Sequence, residues 1–250
     1  MDLIFLIIIG GLWGSFANVC IVRLPEDKGV VSGRSNCPKC KKQINWHDNI
    51  PIISYFILNG KCRKCKKPIS FQYVVVELLS IISFVTIYLI YGFSFTTLLL
   101  IILSLGFIII FFIDLKHFII PDVITFPLMA LGFIKSFIPN LDPLFPYYVL
   151  SLIGGIFGYG IIWGIIFFYK QVKKKEGMGL GDAKLLSAIG FWFGWISIPF
   201  VLFLSSIIAL LSVIPSLLKN SKSMSSQIPF GPYIIIGTLV YLFFENSFKS

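Results

Sequence analysis

Long apolar stretches recur along the whole chain, at about residues 3–22, 73–91, 95–113, 121–138, 147–169, 182–197 and 198–218, with an eighth ending near Phe244. They do not alternate strictly between apolar and polar positions. In lipid every backbone polar group must be satisfied internally, so continuous runs of this length predict helices and not the strands of a barrel. The polar positions gather mainly between residues 23 and 72, with shorter polar loops elsewhere. The expected architecture is an all-α polytopic membrane protein of about eight transmembrane helices. It divides into a first helix (1–22), a polar insertion between helices 1 and 2 (23–72) and a seven-helix membrane domain (73–250).

Within the apolar stretches small residues are conspicuous. Gly10, Gly11, Gly14, Ser15 and Ala17 in the first let another helix approach closely, and Asn18 there is read as interhelical glue. The fifth holds two Gly-x-x-x-Gly spacings, Gly154/Gly158 and Gly160/Gly164, both read as packing surfaces. Pro121 and Asp122 suit a helix start, because a first-turn proline loses no hydrogen bond and an acid there meets the helix dipole favourably.

Composition agrees. The chain is 57% hydrophobic and 13% charged, whereas soluble domains carry about 25% charged residues. Met1-Asp2 leads straight into apolar residues, without a basic region or a small-residue cleavage site, so the first helix is read as retained. The net charge of +10 would suggest nucleic acid in a soluble domain. Here all of the 21 basic residues except Lys135 and Lys249 fall on one predicted face. That is the asymmetry of membrane topology, and it places this face in the cytoplasm, with both termini outside and no nucleic-acid partner.

Four cysteines stand in two short pairs, Cys37-Pro38-Lys39-Cys40 and Cys62-Arg63-Lys64-Cys65. Two C-x2-C knuckles on the cytoplasmic side predict a structural four-thiolate zinc site in preference to disulfides, with basic neighbours favouring the thiolates. Cys20 is read as a small packing residue, and His47 is not needed as a ligand.

Asp114 closes the third stretch, and Asp182 opens the sixth after the loop Glu176-Gly177-Met178-Gly179-Leu180-Gly181. A carboxylate at such a place is costly unless it is used. Both fall on the same predicted face, where two carboxylates sharing a proton can activate a water and protonate a leaving amine. Asp182 near a helix N-terminus is expected to be the ionised member, and Asp114 near a C-terminus the protonated one. Gly177, Gly179 and Gly181 leave the backbone accessible, so an extended peptide could pair with the loop. Asp122 and Lys184 are supporting candidates beside the pair.

These features together resemble the type IV prepilin peptidases, a family of Gly-x-Gly-Asp membrane aspartic proteases. The resemblance is carried by Gly14-Ser15-Phe16-Ala17-Asn18-Val19 with Arg23-Leu24-Pro25, both cysteine pairs, and Trp46-His47-Asp48-Asn49-Ile50-Pro51. It continues through Ser54-Tyr55, Gly60-Lys61-Cys62-Arg63, Tyr73 with Val76-Glu77, Asp114 ahead of Pro121-Asp122, the 176–184 loop and Ile228-Pro229-Phe230-Gly231-Pro232-Tyr233. It implies an eight-helix enzyme of the bacterial inner membrane that removes the basic leader of type IV prepilins or pseudopilins on the cytoplasmic side, with Asp114 and Asp182 catalytic. It also implies N-methylation of the new N-terminus with S-adenosylmethionine, associated with the cysteine-bearing segment and with Gly60 and Lys61. Glu77 and Glu176 are then expected to receive the basic leader, while the lysines meet anionic membrane lipids.

Three other readings compete. A presenilin-like protease shares the aspartates but not the cysteine pairs or the Ile-Pro-Phe-Gly-Pro stretch. A transporter relaying protons or a cation through the aspartate pair would show aspartate-dependent ion flux. A zinc-bearing scaffold leaves the glycine loop without a purpose.

Overall fold

A computed structural model of the chain describes residues 2–30, 35–37, 39–139, 141, 144–173, 179–218 and 228–249. Among them the regular structure is helical, and only two isolated β-bridges occur. In chain order the helices are α1 (Asp2–Arg23), the short α2 (Ile53–Ile57), α3 (Gln72–Tyr91), α4 (Phe95–His117), α5 (Asp122–Lys135), α6 (Tyr148–Lys173), α7 (Leu180–Phe193), α8 (Ser197–Leu218) and α9 (Gly231–Lys249). Two 3-10 turns, Leu24–Glu26 and Trp46–Asn49, lie in the polar insertion. Among the described residues five helices are long and apolar enough to cross a membrane: α1, α3, α4, α6 and α8. Helices α5 and α7 have 14 residues each, about 21 Å at 1.5 Å per residue, short of the roughly 30 Å of hydrocarbon.

The chain divides into two compact units, residues 1–109 and 110–250. In the first, α1 crosses α3 at glycines. A Cβ on Gly10 would sit 2.9 Å from the Ile81 Cα, and one on Gly14 would sit 2.7 Å from the Glu77 Cα. Asn18 donates its side-chain amide to the Tyr73 carbonyl at 3.0 Å, the interhelical bond expected of it, and Cys20 is buried as a packing residue.

In the second unit α7 is the core. Leu185, Leu186, Ala188, Ile189 and Trp192 are fully buried. Helix α6 meets α7 through Gly154 and Gly190, whose backbones touch, and through Gly158, where a Cβ would be 2.6 Å from the Leu186 carbonyl oxygen. Ser151 and Ser187 donate across the seam to the carbonyls of Phe191 (2.7 Å) and Gly155 (2.8 Å). The second glycine spacing differs from expectation: Cβ atoms on Gly160 or Gly164 would meet nothing within 4 Å. Spacing predicts that two glycines share a helix face, but not that the face has a neighbour. Helix α7 also stops earlier than expected, at Phe193, because Gly194 takes φ 81° and closes the last turn on the Gly190 carbonyl.

Candidate active site and metal centre

Asp114 lies in the last turn of α4 and is 4% exposed. The helix ends just beyond it: Phe118 enters the left-handed region (φ 58°) and donates its N–H to the Asp114 carbonyl at 2.9 Å. A left-handed residue after the helix commonly ends one this way, though a bulky side chain makes that conformation uncommon. The turn sends the chain through Ile119-Ile120-Pro121 into α5.

Asp182 lies in the first turn of α7 and is 8% exposed. Gly179 precedes the helix, and its carbonyl accepts the Asp182 N–H at 3.2 Å. Ile120 links the two aspartates. A Cβ on Gly181 would be 3.0 Å from the Ile120 Cβ, and one on Gly231 would be 3.2 Å from the Ile120 Cδ1. Gly231 opens α9 and donates its N–H to Asp114 Oδ2 at 2.9 Å. Asp114 and Asp182 are near enough for the charge of one to bear on the other. Three segments 117 residues apart at the extremes thus hold two buried carboxylates in one cluster.

In the sequence Gly231 stands inside the Ile228-Pro229-Phe230-Gly231-Pro232-Tyr233 stretch, where nothing local marks it as a partner of Asp114. Its contact with Asp114 removes the basis for separating the aspartates by helix polarity, because Asp114 faces the N-terminus of α9 as well as ending α4.

Asp122 begins α5 as expected, and Lys184 binds its carboxylate at 2.6 and 2.9 Å. The pair ties α5 to α7 two residues beyond Asp182. It is half open to solvent on the Asp122 side, so its worth is limited to about 1 kcal/mol. Glu176 and Gly177 lie outside the described residues. Glu77 is not available to a substrate leader as expected: it is 7% exposed and accepts the Ile52 N–H at 2.7 Å.

The four cysteines come together. The Sγ atoms of Cys37, Cys40, Cys62 and Cys65 all lie within 4.8 Å of one another, with 3.9 Å between those of Cys37 and Cys65. Four thiolates around a zinc ion at about 2.3 Å would be about 3.8 Å apart, so the donor set fits that metal. The two knuckles repeat one backbone pattern. Cys37 N–H bonds the Lys42 carbonyl and Lys41 N–H bonds the Cys37 carbonyl, while Cys62, Lys66 and Lys67 do the same. Lys41 and Lys66 both take φ 57°, and Ile44 and Ile69 close the two loops onto Ser35 and Gly60. The sequence signal for this duplication is Cys40-Lys41-Lys42-Gln43-Ile44 against Cys65-Lys66-Lys67-Pro68-Ile69.

Backbone N–H groups of Cys65 and Lys64 favour the Cys62 thiolate and lower its pKa to about 6. Cys65 goes the other way, to about 11: the Lys67 N–H favours its thiolate, but desolvation and the neighbouring sulfurs outweigh it. Arg63, between the second pair, forks onto Asp48 with bonds of 2.7–3.0 Å, anchoring the knuckle to the Trp46–Asn49 turn and holding the Asp48 carboxyl below its usual range. Gly60 (φ 63°) turns the chain into this knuckle, and a Cβ there would be 2.9 Å from the Tyr55 hydroxyl. That need of the turn accounts for Gly60. Lys61 follows it.

Comparison with known proteins bears on both units. Residues 8–91 match the family described as bacterial peptidase A24 N-terminal domain, and residues 99–214 match the type IV leader peptidase family. The chain is 36% identical to the prepilin leader peptidase/N-methyltransferase of Pseudomonas aeruginosa, over 96% of this chain and 90% of that one. It is 34% identical to the protein of the same description from Aeromonas hydrophila (94% and 88%) and to that from Neisseria gonorrhoeae (97% and 91%). No solved structure matches.

Proposed function

The chain belongs to the type IV leader peptidase family, and from that premise we propose that it is a membrane aspartic endopeptidase for type IV prepilins or pseudopilins. We assign catalysis to Asp114 and Asp182. The observation that carries this is the gathering of two buried carboxylates around Ile120 and Gly231. Like charges this close favour one shared proton. The ionised carboxylate takes a proton from water as the oxygen attacks the scissile carbonyl, and the protonated one donates to the carbonyl oxygen. The leaving amine then receives the proton taken from water as the C–N bond breaks, and one hydroxyl of the gem-diol returns its proton to the other aspartate. Gly179 and Gly181 are assigned to the substrate track together with Glu176 and Gly177, and Lys184 with Asp122 to its support.

The same premise supports N-methylation of the new N-terminus, the second activity in the relatives' names. S-adenosylmethionine would supply the methyl group, and Gly60 and Lys61 are the residues assigned to this activity, on the resemblance to the family. Zinc is the metal that the four cysteines fit, in a closed structural site that adds folding energy and offers no open position for chemistry. The distribution of basic residues supports an inner-membrane protein with the aspartate site facing the cytoplasm and lysines near anionic lipid.

Incubation of a prepilin with the enzyme in detergent, with and without S-adenosylmethionine, tests the reading by mass spectrometry. The expected result is loss of the leader, and a further methyl mass only with the donor. Asp114→Asn and Asp182→Asn should each abolish the cleavage. Cleavage retained in either variant, or aspartate-dependent ion flux without cleavage, overturns the assignment.

A further inference from the structure

The apolar part of the polar insertion lies deeper than its place between two helices suggests. The Pro51 ring packs on α1 at Gly11, where an added Cβ would be 3.2 Å from the Pro51 Cβ and 3.6 Å from the Ile81 Cδ1. Gly11 lies midway along α1 and Ile81 midway along α3. Eleven residues of helix separate Gly11 from Val22, roughly 16 Å at the helical rise. The chain that leaves α1 beyond Arg23 has therefore come back beside the centre of the α1–α3 pair.

Its backbone is satisfied as a segment without water requires. Pro51 has no N–H. Ile52 gives its N–H to Glu77 Oε2, and Ile53 closes on the Pro51 carbonyl. Ser54, Tyr55 and Phe56 donate to Ile50 and Ile52; Leu58, Asn59, Gly60 and Lys61 donate to carbonyls between Ser54 and Leu58. The Ser54 hydroxyl donates to the His47 carbonyl. Ile52 is held at φ 62°, ψ −53°, a rare conformation for a β-branched residue. In water an exposed turn would have no need of it; here it aims one N–H at a buried carboxylate and the next at a carbonyl. Backbone outside a long helix is tolerated at membrane depth only when its polar groups are met by protein.

The side chains point the same way. Ile53, Phe56 and Ile57 share one side of α2 and are 57%, 64% and 68% exposed, while Ser54 between them is buried. Lys61, Arg63, Lys64, Lys66 and Lys67 follow immediately, as basic residues do at the headgroup level.

We propose that residues 49–58 form a re-entrant segment whose Ile53, Phe56 and Ile57 lie against lipid acyl chains, seating the four-cysteine centre at the headgroup layer. Glu77 is the positioning residue that holds the inserted turn. The occupant of the exposed face is the bilayer: the Pro51–Gly11 contact sets the segment beside the middle of two helices long and apolar enough to cross a membrane, where acyl chains are the surrounding solvent.

The test uses the full chain in nanodiscs of phosphatidylethanolamine and phosphatidylglycerol, with the photoreactive residue p-benzoylphenylalanine at Phe56 and, separately, at Ile57. Phe5, exposed on α1, is the acyl-chain reference, and Lys64 the shallow, headgroup-level one. After irradiation, intact mass should rise by one phospholipid at Phe56 and Ile57 with a yield comparable to Phe5 and well above that at Lys64. Adducts no more frequent than at Lys64, or crosslinks into residues 110–250 or a second copy, overturn the proposal. Glu77→Gln, whose amide oxygen still accepts the Ile52 N–H, should keep the lipid adduct, and Glu77→Leu should lose it. Retention of the adduct in Glu77→Leu refutes the positioning role.

Discussion

At the scale of single residues, the aspartate site depends on groups that carry no charge. Gly231 supplies an N–H to Asp114 and leaves room for its carboxylate, since an added Cβ would stand 2.7 Å from Oδ2. Gly231→Ala should therefore push that carboxylate out of register while α9 still forms. The expected outcome is a loss of about a hundredfold in kcat, the cost of a displacement near 1 Å in a catalytic group, with KM little changed. Initial rates on a prepilin check it, and methylation of an already cleaved substrate should survive. Asp114 and Asp182 were legible in the sequence because acids at the ends of apolar runs demand a reason. The partner of Asp114 was not, because nothing local relates a backbone N–H to a side chain 117 residues earlier. Glu77 shows the opposite failure: its charge suggested a substrate contact, and the fold spends it on a backbone turn.

At the scale of elements, the helices were readable from hydropathy, whereas their partners were not. Gly154, Gly158, Gly160 and Gly164 look equivalent in the sequence, yet only the first two meet α7. Gly158→Val should drive a side chain into the Leu186 carbonyl, at a cost of about 1–3 kcal/mol for overpacking, and lower the thermal midpoint in detergent by several degrees. Gly164→Val, facing open space, should leave the midpoint unchanged. Equal loss in both variants would mean that the outer face of α6 is occupied as well. The short length of α7 has the same origin. Hydropathy extended it to residue 197, but the left-handed Gly194 ends it at Phe193, and a helix buried over most of its residues needs no further length to satisfy its backbone.

At the scale of the whole molecule, the two chemistries fall in different units. Each group shown to touch Asp114, Asp182 or Ile120 belongs to residues 110–250, whereas both cysteine pairs belong to residues 1–109. The family matches divide similarly, at 91 and 99. The hydropathy pattern placed the divisions at 22 and 72 instead, because polarity marks where the chain leaves the membrane and not which helices pack together. Metal removal discriminates between the units. Structural zinc contributes about 10–16 kcal/mol in small peptides at neutral pH, as much as the 5–15 kcal/mol net stability of a domain, so the cysteine knuckles should not keep their fold without it. Chelation, or Cys62→Ser with Cys65→Ser, should then abolish N-methylation. Prepilin cleavage should persist within about tenfold, a loss of no more than about 1.4 kcal/mol in the barrier, because among the described residues the groups shown to touch the aspartate cluster include no cysteine. Both activities can be followed in one incubation from the masses of the uncut, cut and methylated substrate. Loss of cleavage in parallel with methylation would show that the cysteine unit is needed for the aspartate site to work, and the separation argued from the two compact units would fall.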